Sequence, residues 1–384
     1  MDIGLYFDPV DFDLLGQEEK FSKYSLGYQI RKDTIKALHT KMGSVKAALL
    51  GVPYEPVLSN KGTAGAPAVI RKHLYRMGNL EGLGGIIDLG DLKTGRSVQD
   101  IYYAMRDVVE YLGDLGIVAV VLGGGQDLTT GIARSFRDCP DFTLSVVDAR
   151  VDMKSRREMS DSSGFIRRIL HENPRLFHLQ MIGIQSHLVS SSILEQFREK
   201  TFGYIQLGRL RDDFTVAEPV LRNTTFLSFD ISSVRQSDAA GHCHPSPNGL
   251  QGEEACRLAH YAGLSSKMKV FGIFEVNPEY DPREMTADLA AQMVWYFLEA
   301  FAHRKDVDPA RDKTPFIQYF VEADALTLPF YLHAPTGRWW IEVPAGEESQ
   351  WIIPCHEDDY SLACRHEIPD IWWKYARKSD RLSK

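Results

Sequence analysis

From about Val45 to about Lys305, short runs of consecutive apolar residues alternate with segments in which apolar residues recur every three or four positions. The runs Ala47–Val52, Gly85–Asp88, Val118–Leu122, Thr143–Asp148, Leu179–Ile184, Tyr204–Leu207, Thr225–Asp230 and Val270–Val276 have strand length. Most lack a polar face, as strands covered on both sides do. Between them the periodicity predicts helices at Val98–Leu115, Thr129–Phe136, Ser192–Lys200, Glu253–Gly263 and Met285–His303. In the last, Leu289, Met293, Phe297 and Phe301 recur every four residues beside Val294 and Leu298, which gives one apolar face. Alternation of this kind predicts an α/β fold of three layers, with a mostly parallel sheet between helices.

This α/β domain takes residues 45–305, leaving an N-terminal extension of residues 1–44 and a C-terminal extension of residues 306–384. The second holds five of the six tryptophans, Trp339, Trp340, Trp351, Trp372 and Trp373, and Gly337–Val343 predicts a strand. Its aromatics predict packing against the main domain, a neighbouring subunit or a protein partner. Cys355-His356 with Cys364 and His366 matches no common structural zinc spacing.

The formal charge of −8, from 44 Lys+Arg and 52 Asp+Glu in 384 residues, argues against a general nucleic-acid binder. The longest apolar run, Gly116–Leu122, is too short for a membrane helix. An acidic, aromatic first segment predicts no secretory leader, and five scattered cysteines predict reduced thiols in a cytoplasm.

Ligands of parallel α/β sheets collect beyond the carboxyl ends of the strands. Those ends read Gly123-Gly-Gly-Gln-Asp127, Asp148-Ala-Arg-Val-Asp152, Ser228-Phe-Asp-Ile-Ser232 and Glu275-Val-Asn-Pro278. They carry Asp148, Asp152, Asp230 and Glu275 to one rim, where mutual repulsion requires a cation or bound protons.

In order and context these motifs resemble the ureohydrolase family of arginase, agmatinase and formimidoylglutamase. Gly51-Val-Pro53, the loop Asn60–Arg71 and Asp88-Leu-Gly-Asp91 add to the resemblance, and Ser162–Arg167 is most similar to the formimidoylglutamase branch. The resemblance implies a pair of manganese ions and, in an active member, C–N hydrolysis of linear amidines or guanidines. It also implies a homo-oligomer.

Three family ligand positions differ. Gln126 stands for the first histidine, Arg150 for the second and Ser232 for the last aspartate, whereas Asp148, Asp152 and Asp230 are retained. The carboxylates with the Gln126 carbonyl would suit a hard cation. Arg150 is expected to lie between Asp148 and Asp230 and to displace a second metal. The cofactor expectation is therefore none, or at most one divalent ion such as manganese. The resemblance implies Glu275 as acceptor for the substrate's cationic nitrogen and His244 as a pocket residue, which could act as base. Asn60, Gln126, Arg150, Ser163, Ser232 and Glu275 form the ligand-binding set. Lys61, Arg71, Arg167 and Arg168 are candidates for an anionic substrate group. The leading expectation is a non-hydrolytic binding, regulatory or scaffold protein with an amidino, guanidino or amino-acid-like ligand. The alternative is an active formimidoylglutamase-like hydrolase.

Overall fold

A computed structural model describes residues 3–12, 21–32, 45–56, 60–153, 162–346 and 349–382. Thirteen strands are described: β1 Phe7–Asp8, β2 Val45–Gly51, β3 Gly85–Leu92, β4 Val118–Leu122, β5 Thr143–Val147, β6 His178–Ile184, β7 Gly203–Gln206, β8 Phe226–Asp230, β9 Val270–Phe274, β10 Ile317–Ala323, β11 Leu326–His333, β12 Arg338–Pro344 and β13 Gln350–Cys355. The first nine form one sheet in the order β1-β3-β2-β4-β9-β8-β5-β6-β7. Only the β1–β3 pairing is antiparallel.

Alternating side chains feed two cores. On β2, Ala47 and Leu49 face one and Ala48 and Leu50 the other. The first core joins the helices Ala66–Leu74, Gly252–Gly263 and Met285–His303, whose apolar faces meet; the second joins Val98–Asp114 and Thr129–Arg134. The three-layer α/β expectation therefore holds. β3 outruns its sequence prediction because Asp88 and Asp91 stay in the sheet as partners of Arg71.

The decisive topological fact is that β4, β9, β8 and β5 are immediate neighbours. The chain leaves β4 for β5, and β8 and β9 later fill the gap. This reversal is the switch point at which open α/β sheets bind ligands.

Beyond the main sheet, β10–β13 form an antiparallel meander where the sequence predicted one strand. Its apolar face buries Leu328, Phe330 and Ile341, and Trp339 stacks on Tyr360 at 4.4 Å. The meander and the helix Asp370–Leu382 seat at the amino ends of β5, β6 and β8. There Arg222 Nη2 donates to Trp339 O at 3.1 Å, Arg338 lies 3.0 Å from Glu218, and Lys378 Nζ reaches His178 Nδ1 at 3.0 Å. Among the described residues no helix is long and apolar enough to cross a membrane.

Candidate metal centre

Four neighbouring strands end in Gln126, Glu275, Asp230 and Asp148, so adjacency in the sheet brings residues from four distant chain segments to one rim. Two of the strand ends use the same local device. Asp148 Oδ1 accepts the backbone N–H of Arg150 at 2.9 Å, and Asp230 Oδ1 accepts that of Ser232 at 2.7 Å. Each is an Asx turn, which fixes one carboxylate oxygen and leaves the other for the site.

Asp148 is 2 % exposed, and its Oδ2 has no hydrogen-bond partner. Burial, then the charges of Asp152 and Asp230, raise its pKa well above the usual carboxylate range. Burial also pushes Asp230 up to about 6, against hydrogen bonding from Ser232 and the charge of Arg150. Gln126 is fully buried. Its amide N–H donates to Ser228 Oγ at 3.2 Å, which orients the side chain, and its Oε1 has no hydrogen-bond partner.

Glu275 is 3 % exposed and adopts φ 66°, in the left-handed region that costs a residue with a β-carbon. Asn60 Nδ2 donates to its Oε2 at 3.0 Å and to its carbonyl at 2.7 Å, while the Gln126 N–H donates to Oε1 at 2.8 Å. Its own N–H donates to Gly124 O at 2.8 Å. Gly124 has no β-carbon for a reason visible here: one would sit 1.7 Å from Tyr54 O. The loops after β4 and β9 thus lock each other, and Asn60 is fastened in turn by Asn277 Nδ2 at 2.7 Å.

Asn60, Gln126, Asp148, Asp230 and Glu275 are therefore buried at this rim; Asp152 and Ser232 are half-buried there. Ser163 is half-buried in the turn Ser162–Gly164, immediately after residues outside the described set.

Arg150 departs from its expected place. Its side chain is exposed, and among the described residues it forms no ion pair, so it does not occupy the position between Asp148 and Asp230. Its charge still acts on Asp148 and Asp230, lowering the pKa of each against burial. His244 is also exposed. The structure instead brings His242 Nε2 to 3.9 Å from Glu275 Oε2, and the His244 N–H donates to His242 Nδ1 at 2.9 Å. Burial lowers the His242 pKa, so the ring is held neutral with its proton on Nε2.

Arg71 is no substrate cation either. It is 1 % exposed and shared between Asp88, at 2.9 Å, and Asp91, at 2.5 Å. Arg167 donates to Met153 O and Arg168 to Tyr102 OH; Lys61 is exposed. No pattern of residues signals the network behind Gln126, in which Tyr102 and Tyr54 donate to Asp127 Oδ2 at 2.5 and 3.2 Å. Tyr102 lies on a distant helix and reads there as an ordinary apolar-face residue.

The donors present suit a hard divalent cation. Asp148 Oδ2 and Gln126 Oε1 are buried acceptors lacking any donor, and the charges of Asp152 and Asp230 raise the pKa of Asp148 despite the opposing charge of Arg150.

A family model described as the arginase family matches residues 45–299. A formimidoylglutamase of Streptococcus pyogenes is 24% identical over 282 residues, spanning 66% of this chain and 84% of that protein. Formiminoglutamase from Trypanosoma cruzi, solved with Mn2+2, is similar at a TM-score of 0.63 and 22% identity, over 68% of this chain and 95% of that one. The agmatine ureohydrolase of Thermoplasma volcanium is similar at a TM-score of 0.59 and 23% identity, over 73% of this chain and 94% of that one. These findings correct the cofactor expectation of none, or at most one divalent ion. The family match and the neighbour holding Mn2+2 point to a manganese cofactor.

Proposed function

This chain belongs to the arginase family, and from that premise we propose that it is a manganese-dependent hydrolase of a C–N bond in a linear amidine, of the formimidoylglutamate type. The observation that carries this reading is the pair of donorless buried oxygens, Asp148 Oδ2 and Gln126 Oε1, at a rim that also holds Asp152 and Asp230. In a protein without a cation there, such groups would cost several kcal/mol for no structural return, on the order of 1–3 each. The residues that would hold the metal are Gln126, Asp148, Asp152 and Asp230. A divalent ion there would supply the charge that lowers the pKa of water and polarises an amidine.

The remaining residues orient and bind. Glu275 is held by Asn60 and the Gln126 N–H. It offers a fixed anion to the amidinium N–H groups, and its buried setting strengthens that pairing. His242 carries its proton on the nitrogen that faces Glu275. It therefore serves as a hydrogen-bond donor at the nitrogen end of the substrate. In its neutral form Nε2 cannot accept a proton, so the base role expected of a histidine here does not fall to that atom.

The test is release of formamide from N-formimidoylglutamate, or of urea from agmatine or arginine, by the manganese-reconstituted full chain. Formamide release that a chelator abolishes is the expected result. No product from any of the three substrates, with manganese demonstrably bound, would refute hydrolysis. A second reading, binding without turnover, draws on Ser232 and Arg150 standing where the family resemblance implies an aspartate and a histidine. Saturable amidine binding without product would select it.

A further inference from the structure

At the amino end of the main sheet, a cavity of about 550 Å³ opens between β6, β7, the end of β13 and the helix Asp370–Leu382. The volume is that of a small-molecule site. Its floor is polar and buried: His178, Gln180 and Asn223 are 4, 3 and 6 % exposed. Lys374 lines the same cavity, and the sheet itself seats its amine. Gly203 pairs with Gln180 across β6 and β7, and a β-carbon at Gly203 would fall 2.5 Å from Lys374 Nζ and 1.9 Å from Gln180 Oε1. Glycine leaves that space to the amine. Among the described residues Nζ has no hydrogen-bond or ion-pair partner, and it is not sealed from the cavity.

The charges behind this floor are positive. Lys378 Nζ lies 3.0 Å from His178 Nδ1, and burial, then Lys374 and Lys378, keep His178 neutral. The acids of the opposite wall are engaged elsewhere: Asp358 lies 3.3 Å from His356 and 3.7 Å from Arg209, and Asp359 accepts the His356 N–H at 2.9 Å. Asp370, one turn back on the same helix, is exposed. Desolvation without a carboxylate lowers the Lys374 pKa to about 8, so a sizeable fraction of the amine is unprotonated and nucleophilic near neutral pH. Such an amine adds small electrophiles. An imine would leave the nitrogen neutral or cationic among these positive groups, whereas a carbamate reverses its sign and brings acceptor oxygens to a cluster that lacks an anion.

We propose that Lys374 is a carbamylation site for carbon dioxide, whose adduct places a negative charge in this cavity and ties the C-terminal helix to the main sheet. Nζ forms a bond to the carbon, one C=O electron pair moves onto oxygen, and a proton leaves the nitrogen for solvent. R–NH2 and CO2 thus become R–NH–COO− and H+. The site lies at the amino end of β6, so it is separate from the metal centre at the carboxyl ends of the strands.

The test is chemical trapping. The full chain is equilibrated with carbon dioxide near neutral pH at constant ionic strength, treated with triethyloxonium ion, which esterifies carbamates, and mapped by peptide mass spectrometry. An ethyl carbamate on Lys374 is expected, at least about tenfold more abundant than on the exposed Lys305, whose amine keeps its proton at that pH. Thermal unfolding supplies a readout that a merely reactive surface amine would not move: at fixed pH, carbon dioxide should raise the midpoint of the wild-type chain and leave that of K374M unchanged. No label on Lys374, a label no greater than that on Lys305, or an equal midpoint shift in K374M would overturn the proposal.

Discussion

The two ends of the central sheet are electrostatic opposites. At the carboxyl end, Asp148, Asp230 and Glu275 are buried with Asp152 beside them, and Arg150, whose charge reaches Asp148 and Asp230, is exposed. At the amino end, Arg222, Lys374 and Lys378 crowd His178 and Glu218. Burial, then Lys374 and Lys378, drive the His178 pKa far below its usual value. β8 alone, five residues from Phe226 to Asp230, separates the two environments. Between them, on the same sheet, Arg71 with Asp88 and Asp91 is a buried charge cluster that is complete: every carboxylate has its guanidinium, and Tyr75 OH donates to Asp88 at 2.7 Å. A closed cluster is structural. An open one, with buried polar atoms left over, is where a ligand of the missing sign belongs.

Four substitutions or additions sharpen or break this contrast. The largest effect should come from Arg71→Met, which leaves Asp88 buried without its cation and should cost about 3–5 kcal/mol in urea unfolding. If R71M were as stable as the wild type, the closed cluster would not be structural. Asp148→Asn should do the reverse to the open cluster: hydrolysis and manganese retention fall about a hundredfold or more, while the metal-free thermal midpoint rises as repulsion is relieved. A lower metal-free midpoint would show that Asp148 is already balanced. Manganese at ten times its Kd should stabilise the wild-type chain by about 1.4 kcal/mol and leave D148N unshifted, read by thermal unfolding.

The smallest effect concerns Lys374, half-buried at the amino end, whose pKa is pushed by desolvation from 10.5 to about 8. Between pH 8 and 10.5 the unfolded chain then binds more protons than the folded one, so stability rises with pH across that window. Lys374→Met should be the more stable protein at pH 7, and its advantage should shrink as the pH passes 8. An advantage independent of pH would show Lys374 to be well solvated.

Much of the main sheet was readable because parallel strands are apolar on both faces, so Val118–Leu122 and Val270–Phe274 announce themselves as runs. Their ends followed, and with them Gln126, Asp148, Asp230 and Glu275. What sequence could not supply was the direction of a side chain. Arg150 looked like a cation seated between the aspartates, but its side chain is exposed and makes no ion pair among the described residues, acting on Asp148 and Asp230 through its charge alone. Arg71 looked like a substrate contact because its partners, Asp88 and Asp91, sit on another element. His242 and His244 are indistinguishable by spacing; only the fold of the loop puts the first beside Glu275. The meander escaped because the apolar residues Ile317 and Phe320 are exposed within Ile317–Ala323 and hide its alternation, while Leu326–His333 mixes exposed and buried residues without clean alternation.

Manganese content tests the rim most directly, measured by elemental analysis after the wild-type chain and D148N are loaded with manganese and passed through gel filtration. At least one manganese per wild-type chain is expected, with a near-complete loss in D148N. A wild-type chain that emerges without manganese, or a D148N chain that keeps all of it, would contradict the claim that the carboxyl-end rim is a metal centre.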